Sequence, residues 1–593
     1  MKRLLVLALT LLITPTVFAQ SVSKQLQDMK DAISAQQQQI QQLQQQVQNR
    51  DQAIQTLQKQ VTDAQAAAQA AQDTANGAVP KAEALDKQFA DPLQHDVADL
   101  KAVDVSQNNE IQATEKRVAD LESPLAIHYK GVLLTPGGFV DGSTYFRNRA
   151  TASEATPFNS IPFGGASQAH MTEFYGSGRQ SRATLLVKAN TDNIATTGYF
   201  ESDFESAGVT SNNNQTNGYT LRVRQAWAQA ALASGLTFTG GQMWSLVVDR
   251  RQGIDNLTEN LPQVIDPSYV VGWTYVRQYA FRVTKNWNNT FWLAGSVEQS
   301  QINTPIATGT TQNYLLGASG TLAGLYNNQA NYAYNRLPDF VFKGVWQPKF
   351  GGHYEAFMIF SSFRDRVFPN ATAKVPSALG AYNSNTTVGG FGANALWTVA
   401  SKKVDLGVHL FGNNGFGRYG ASGLPDITFN SNGTIAKLRN YQGLGSFYFH
   451  GPKLDVYAYG GVEYVARRYG LNAEGKPEGY GNPLYVDSGC MVETLPATSG
   501  TNTTAGFEPG PLEECSGNTR NLIEGTAGFW YRFYSSPMKG RLQMGSQFSY
   551  IVRNTWSGAA LQINPLGSNN VVHGLQPTAN DSYWATSFRY FLP

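Results

Sequence analysis

The chain has 593 residues, room for several domains or one large barrel, and its 57 Gly, 12% aromatic and only 15% charged residues are an unusual mix for a soluble enzyme. A net charge of +2 gives no special attraction for nucleic acid. Past the N-terminus no segment offers the roughly 18 unbroken apolar residues that a membrane helix needs, which argues against a helical bundle in a bilayer.

The chain opens MKRLLVLALTLLITPTVFAQ, with Lys2 and Arg3, an apolar run to Ile13, and the small residues Val17 and Ala19 before a cut. This predicts a secretory signal peptide over residues 1–19. Export would place Cys490 and Cys515 under oxidising conditions, where a disulfide between them is expected. Two isolated cysteines with no nearby His do not suggest a metal site.

Residues 20–75 are dominated by Gln and Ala, yet they are periodic. Leu26, Ile33, Ile40, Val47, Ile54, Val61 and Ala68 fall seven apart, with Val22, Met29, Leu43, Leu57, Ala64 and Ala71 at the matching d positions and Gln36 and Arg50 interrupting. Such a seam has to pair with copies of itself, so the spacing predicts a parallel α-helical coiled coil and leaves two or three strands open. NGAVP (Asn76–Pro80) breaks the helix. Residues 76–126 read as a linker and a second helical segment, with a weaker heptad through Val97, Leu100, Ile111, Val118, Leu121 and Leu125.

From residue 127 to 593 Gly, Asn, Tyr, Phe and Thr replace Gln, and alternation replaces the heptads. In NLIEGTAGFWYRFY, Ile523, Ala527, Phe529, Tyr531 and Phe533 oppose Glu524, Thr526, Trp530 and Arg532. Strands of this kind are separated alternately by seven short turns and eight long polar loops. The expected fold is an all-β transmembrane barrel of about 16 antiparallel strands, with fourteen or eighteen left open. The chain stops on SYWATSFRYFLP, where Trp584, Phe588 and Tyr590 oppose Ser587 and Arg589, as suits a closing strand.

Signal peptide, Gln-rich rod and barrel, together with TPGGF (Thr135–Phe139), TLRVRQAW (Thr220–Trp227) and FGNNGFGRYG (Phe411–Gly420), resemble the Gram-negative trimeric porins, particularly the DcaP-like porins with an N-terminal coiled coil. The aromatic C-terminal strand is similar to the terminal signal of outer-membrane proteins, although this chain continues past Phe591 to Leu592 and Pro593. The resemblance implies an outer-membrane protein with its coiled coil in the periplasm. It further implies a homotrimer with a water-filled pore in each subunit, open to small hydrophilic solutes by passive diffusion. Outer-membrane lipid is the expected surrounding, and peptidoglycan or periplasmic proteins are candidate partners for the rod.

In porins the third long loop folds inward and narrows the pore. Here that loop spans about Val247 to Val271 and carries Asp249, Arg250, Arg251, Asp255, Glu259 and Asp266. Charges on a constriction and its facing wall sort solutes by charge; the alternative is a solvated external loop. Wall candidates come from alternation: Glu201, Asp203 and Glu205 against Phe200, Ser202 and Phe204; Arg182 and Lys188 against Ala183, Leu185 and Val187; Arg222 and Arg224 against Leu221 and Val223; and Arg282 against Phe281 and Val283. An Arg at the bilayer midplane costs roughly 2 to 4 kcal/mol, so the lumen is the cheaper side. Whether these arginines select solutes or pair with the neighbouring acids stays open. If Arg222 and Arg224 face in, Gln225 and Gln229 fall on the outer face beside Trp227, which means a subunit contact, a bulge after Arg224, or emergence from the hydrocarbon.

The seven His residues are scattered, none at metal-ligand spacing with another, and no G-x-S-x-G elbow exists. Neither catalysis nor a cofactor is expected. The best reading is a general diffusion porin. A substrate-selective porin for anions such as phosphate or dicarboxylates, and a structural tether between outer membrane and cell wall, are the alternatives.

Overall fold

The computed structural model describes residues 56, 59–68 and 126–593, without 152–157, 159–160, 192, 206–220, 269, 305–308, 312–313, 317–333, 372–374, 376, 400, 473–474, 492–514 and 564–568. The chain divides into two units, Met1–Glu122 and Ser123–Pro593. In the first, residues 59–68 are helical and exposed; the expected signal peptide, most of the heptads and the second helical segment lie outside the described residues.

In the second unit sixteen antiparallel strands close into one barrel: β1 (Val132–Arg147), β2 (Arg182–Asn190), β3 (Ile194–Asp203), β4 (Arg222–Leu232), β5 (Leu236–Trp244), β6 (Arg277–Trp287), β7 (Phe291–Glu298), β8 (Asp339–Trp346), β9 (His353–Val367), β10 (Tyr382–Val399), β11 (Val404–Asn414), β12 (Arg439–His450), β13 (Leu454–Val465), β14 (Thr519–Ser536), β15 (Gly540–Thr555) and β16 (Thr578–Phe591). Each strand pairs with the next, and β16 returns to β1, from Phe591 opposite Phe139 to Tyr583 opposite Arg147. The ladder therefore has no free edge, which is the condition for a sheet surrounded by hydrocarbon. Short turns join the strands at one end and long loops at the other. At the Trp287–Phe291 turn Asn288 and Asn289 take left-handed backbone (φ 53° and 52°), a conformation Asn tolerates in tight reversals.

Burial is inverted relative to a water-soluble fold. Phe281, Phe342, Met358 and Phe391 are 47–60% exposed on the outside, while the alternate residues Lys343, Glu355, Glu463 and Glu524 are buried on the inside. Large apolar groups facing out and polar groups facing in fit a wall with hydrocarbon outside and a polar interior.

Many of the buried apolar residues belong to one long connection and to the inward wall positions it packs against. Leu246, Val247 and Ile254, in the third long connection (residues 245–276, loop 3), pack with Trp292, Val341 and Phe357. Val248, Val264 and Ile265 of the same loop pack with Tyr457, Trp530 and Ile551. Cys490 and Cys515 form the expected disulfide within the seventh long loop.

Candidate functional site

The arginines of β4 meet the acids of β3. Arg222 Nε and Nη2 donate to Asp203 Oδ1 and Oδ2 at 2.9 and 2.7 Å, and Nη2 also reaches Glu205 Oε2 at 2.6 Å. Arg224 donates to Glu201 and Asp203, each at 2.5 Å. Arg182 lies 3.5 Å from Glu201.

Between Glu201–Gln225 and Ser202–Val223 the register slips, so Arg224 is the extra residue of a bulge. After it the inward phase passes to odd numbers. Gln225 and Trp227 are buried and Gln229 is half-buried, whereas Ala226 and Ala228 are exposed. Gln225 Nε2 donates to Glu201 at 3.1 Å and Trp227 Nε1 donates to Gln225 at 3.3 Å. Of the three readings of Gln225 and Gln229, the register selects the bulge, which turns Gln225, Trp227 and Gln229 inward instead of toward the outer face.

Loop 3 is bonded to the inward side chains of the wall. Backbone N–H groups of Leu246, Arg250, Val271 and Gly272 donate to Glu298, Glu355, Glu524 and Glu463 at 2.7–2.9 Å. Those of Gln263 and Ile265 donate to Tyr459 and Gln547. Lys343, 2.6 Å from Glu355, donates to the Val248 carbonyl, and Arg589 and Trp530 donate to the carbonyls of Ile265 and Gln263. These anchors sit on β7, β8, β9, β13, β14, β15 and β16. Gly272 has φ +85°, and a Cβ there would stand 2.1 Å from the Gly443 carbonyl oxygen, so this approach to the wall requires glycine.

Most charges of loop 3 have local partners. Arg250 pairs with Glu259 at 3.1 Å, and Arg251 pairs with Asp405 of β11. Asp249 accepts from Asn260 at 2.8 Å and from the Trp273 indole at 3.1 Å. Burial, then the charge of Glu355, pushes the Asp249 carboxyl up to about 6. Asp266 accepts from Ser268 N and Oγ at 2.9 and 2.7 Å. Glu205, just past β3, is pushed up to about 7, first by burial and next by the charge of Asp266. Asp266 is thereby electrically linked to the Arg222 cluster. Asp255 is exposed.

Two wall candidates stand apart from that cluster. Lys188 is exposed near the short-turn end of β2. Arg282 is buried and donates to Asn256 of loop 3 and to the Trp244 carbonyl, both at 2.7 Å. Sequence reasoning missed Lys343, Glu355, Glu463, Glu524 and Arg589. Their inward phase was the available signal, but their bonding partners lie far away in the chain.

Against loop 3 lies a cavity of about 200 Å³, lined by Arg182, Arg541, Arg589, Phe591 and Trp530. Arg541 stacks on Phe591, 4.0 Å from the ring centre, and Arg589 pairs with Asp141 at 2.9 Å.

No family model and no curated protein matches this sequence. Among solved structures it is similar to the outer membrane channel DcaP of Acinetobacter baumannii, at 12% identity and a TM-score of 0.51, over 79% of this chain and 99% of that one. Looser similarity extends to Salmonella typhi OmpF in complex with daunomycin (10% identity, TM-score 0.39, 79% and 100% covered). It extends also to the anion-selective porin from Comamonas acidovorans (9%, 0.38, 78% and 100%). The closed sixteen-strand barrel is thus the outer-membrane porin fold, and the resemblance to the DcaP channel seen in the sequence extends to the structure.

Proposed function

We propose that the protein is an outer-membrane porin through which small hydrophilic solutes diffuse passively, its pore narrowed by loop 3. The observation that carries this reading is the set of hydrogen bonds tying loop 3 to inward side chains from β7 to β16, since such a loop occupies lumen that sixteen strands would otherwise leave open to water. Residues 1–19 act as the export signal, and the Gln-rich heptads join three chains in the periplasm. The wall charges Arg182, Arg222, Arg224, Glu201, Asp203 and Glu205 face loop 3 and set the field that solutes cross. Planar-bilayer recording of the detergent-extracted protein tests this: stepwise closure in threes is expected, and a silent, correctly folded protein would overturn it.

Anion selectivity is the second reading. It is supported by three arginines lining one cavity, with the Nε atoms of Arg182 and Arg541 free of hydrogen bonds. The reversal potential in a KCl gradient discriminates, and a cation-selective pore sinks the anion reading while leaving the diffusion channel standing.

A further inference from the structure

The outer wall contains a hollow that its own backbone does not require. Across β6 to β10, Val283, Gly295, Phe342, Met358 and Phe391 stand opposite one another in an outward row. In the next row toward the short turns stand Lys285, Leu293, Gly344 and Ala356. Phe342, Met358 and Phe391 project while Gly295, Gly344 and Ala356 offer almost nothing, and the resulting hollow measures about 470 Å³.

Glycine inside a strand weakens it and commonly marks a bulge or a close approach by backbone or ligand. Neither glycine here has positive φ or sits at a register shift. An added Cβ at Gly344 would meet only Leu293 Cδ2, and one at Gly295 only the Phe342 ring, both at 3.4 Å or more. Space for something outside the chain is the remaining role.

Lys285 lines the short-turn end of this hollow, its Nζ donating to the Ser234 carbonyl and lying 5.8 Å from the Trp287 ring centre. A lysine on the lipid-facing side is cheap at the membrane interface, where phosphate headgroups lie. We infer that the hollow seats one acyl chain of a glycerophospholipid whose phosphate is held by Lys285. This rests on the reading of the outer face as membrane-embedded.

The full-length protein, extracted in mild detergent and mixed with dioleoyl phosphatidylglycerol, is weighed intact by native mass spectrometry. The wild type should keep one phosphatidylglycerol per chain, and Gly344→Leu, which fills the floor, should lower retention about fivefold. Lys285→Gln should lower it about threefold while leaving retention of uncharged dioleoylglycerol unchanged. Gly525→Leu, at an exposed β14 position where an added Cβ meets nothing, should retain lipid like the wild type. If Gly344→Leu does not fold, Gly295→Ala together with Lys285→Gln carries the same expectation. Unchanged retention in folded variants would overturn the inference. So would loss of the oligomer in Gly344→Leu with lipid retention unaltered, because the occupant would then be a second copy of the chain. A wild type soluble without detergent sinks the membrane reading itself; a membrane-inserted wild type that keeps no lipid sinks only the acyl-chain seat.

Discussion

Two sets of inward carboxylates behave differently. On β3, Glu201 and Asp203 are met by the guanidinium groups of β4, so charge answers charge within the wall. From β7 to β14, Glu298, Glu355, Glu463 and Glu524 receive backbone N–H groups of loop 3. The first arrangement leaves a local field and no tether. The second spends the acids on holding a loop that has few side-chain partners of its own for those groups. An inward acid therefore acquires its role from what reaches it, and strand phase alone does not distinguish the two.

The largest effect is expected at Glu355. Glu355→Ala leaves Lys343 buried without its carboxylate and Arg250 N–H without its acceptor. Removing one partner of a buried pair costs about 3 to 5 kcal/mol, to be read as earlier thermal unfolding of the extracted barrel and noisier single-channel current. Glu524→Gln keeps the shape but weakens the acceptor for Val271 N–H. The expected loss is about 1 kcal/mol, and faster protease cleavage in loop 3 is the readout. If Glu524→Gln proves as damaging as Glu355→Ala, the acids on that side are not acting chiefly as separate anchors.

On the other side, Arg224→Gln removes the shared partner of Glu201 and Asp203. It should shift the reversal potential toward cations while leaving the unfolding temperature less changed than Glu355→Ala does. The smallest effect concerns pH. Because the Glu205 carboxyl ionises near 7 when folded against 4.5 ordinarily, its contribution to stability is complete below about pH 4.5 and is lost as pH rises through about 7. Falling pH through that window removes one negative charge beside Arg222 and should move selectivity toward anions. Glu205→Gln should flatten this step in a pH series of reversal potentials.

Much of the barrel was legible because its signals are local. Alternation of period two, short polar turns and an aromatic last strand each occupy about a dozen residues or fewer, and they gave the sixteen strands with their two unlike ends. The pairing of Arg222 and Arg224 with the β3 acids was visible as one of two options. The bulge near Arg224 was visible as one of three options, and only the register against β3 selects it. The loop anchors were not legible. Val271 and Glu524 are 253 residues apart, and a backbone N–H leaves no mark in a sequence. The same gap explains Arg282, legible as an inward cation yet engaged with Asn256 and the Trp244 carbonyl.

The extra residue in β4 makes this strand a poor ruler for the lining of the pore. Replacing successive residues by cysteine and treating with a water-borne thiol reagent should label even positions up to Arg224 and odd positions from Gln225 to Gln229, with two neighbours reacting in succession where the parity changes. Excising one residue at that point would restore a single parity by rotating either the arginines or Trp227 toward lipid.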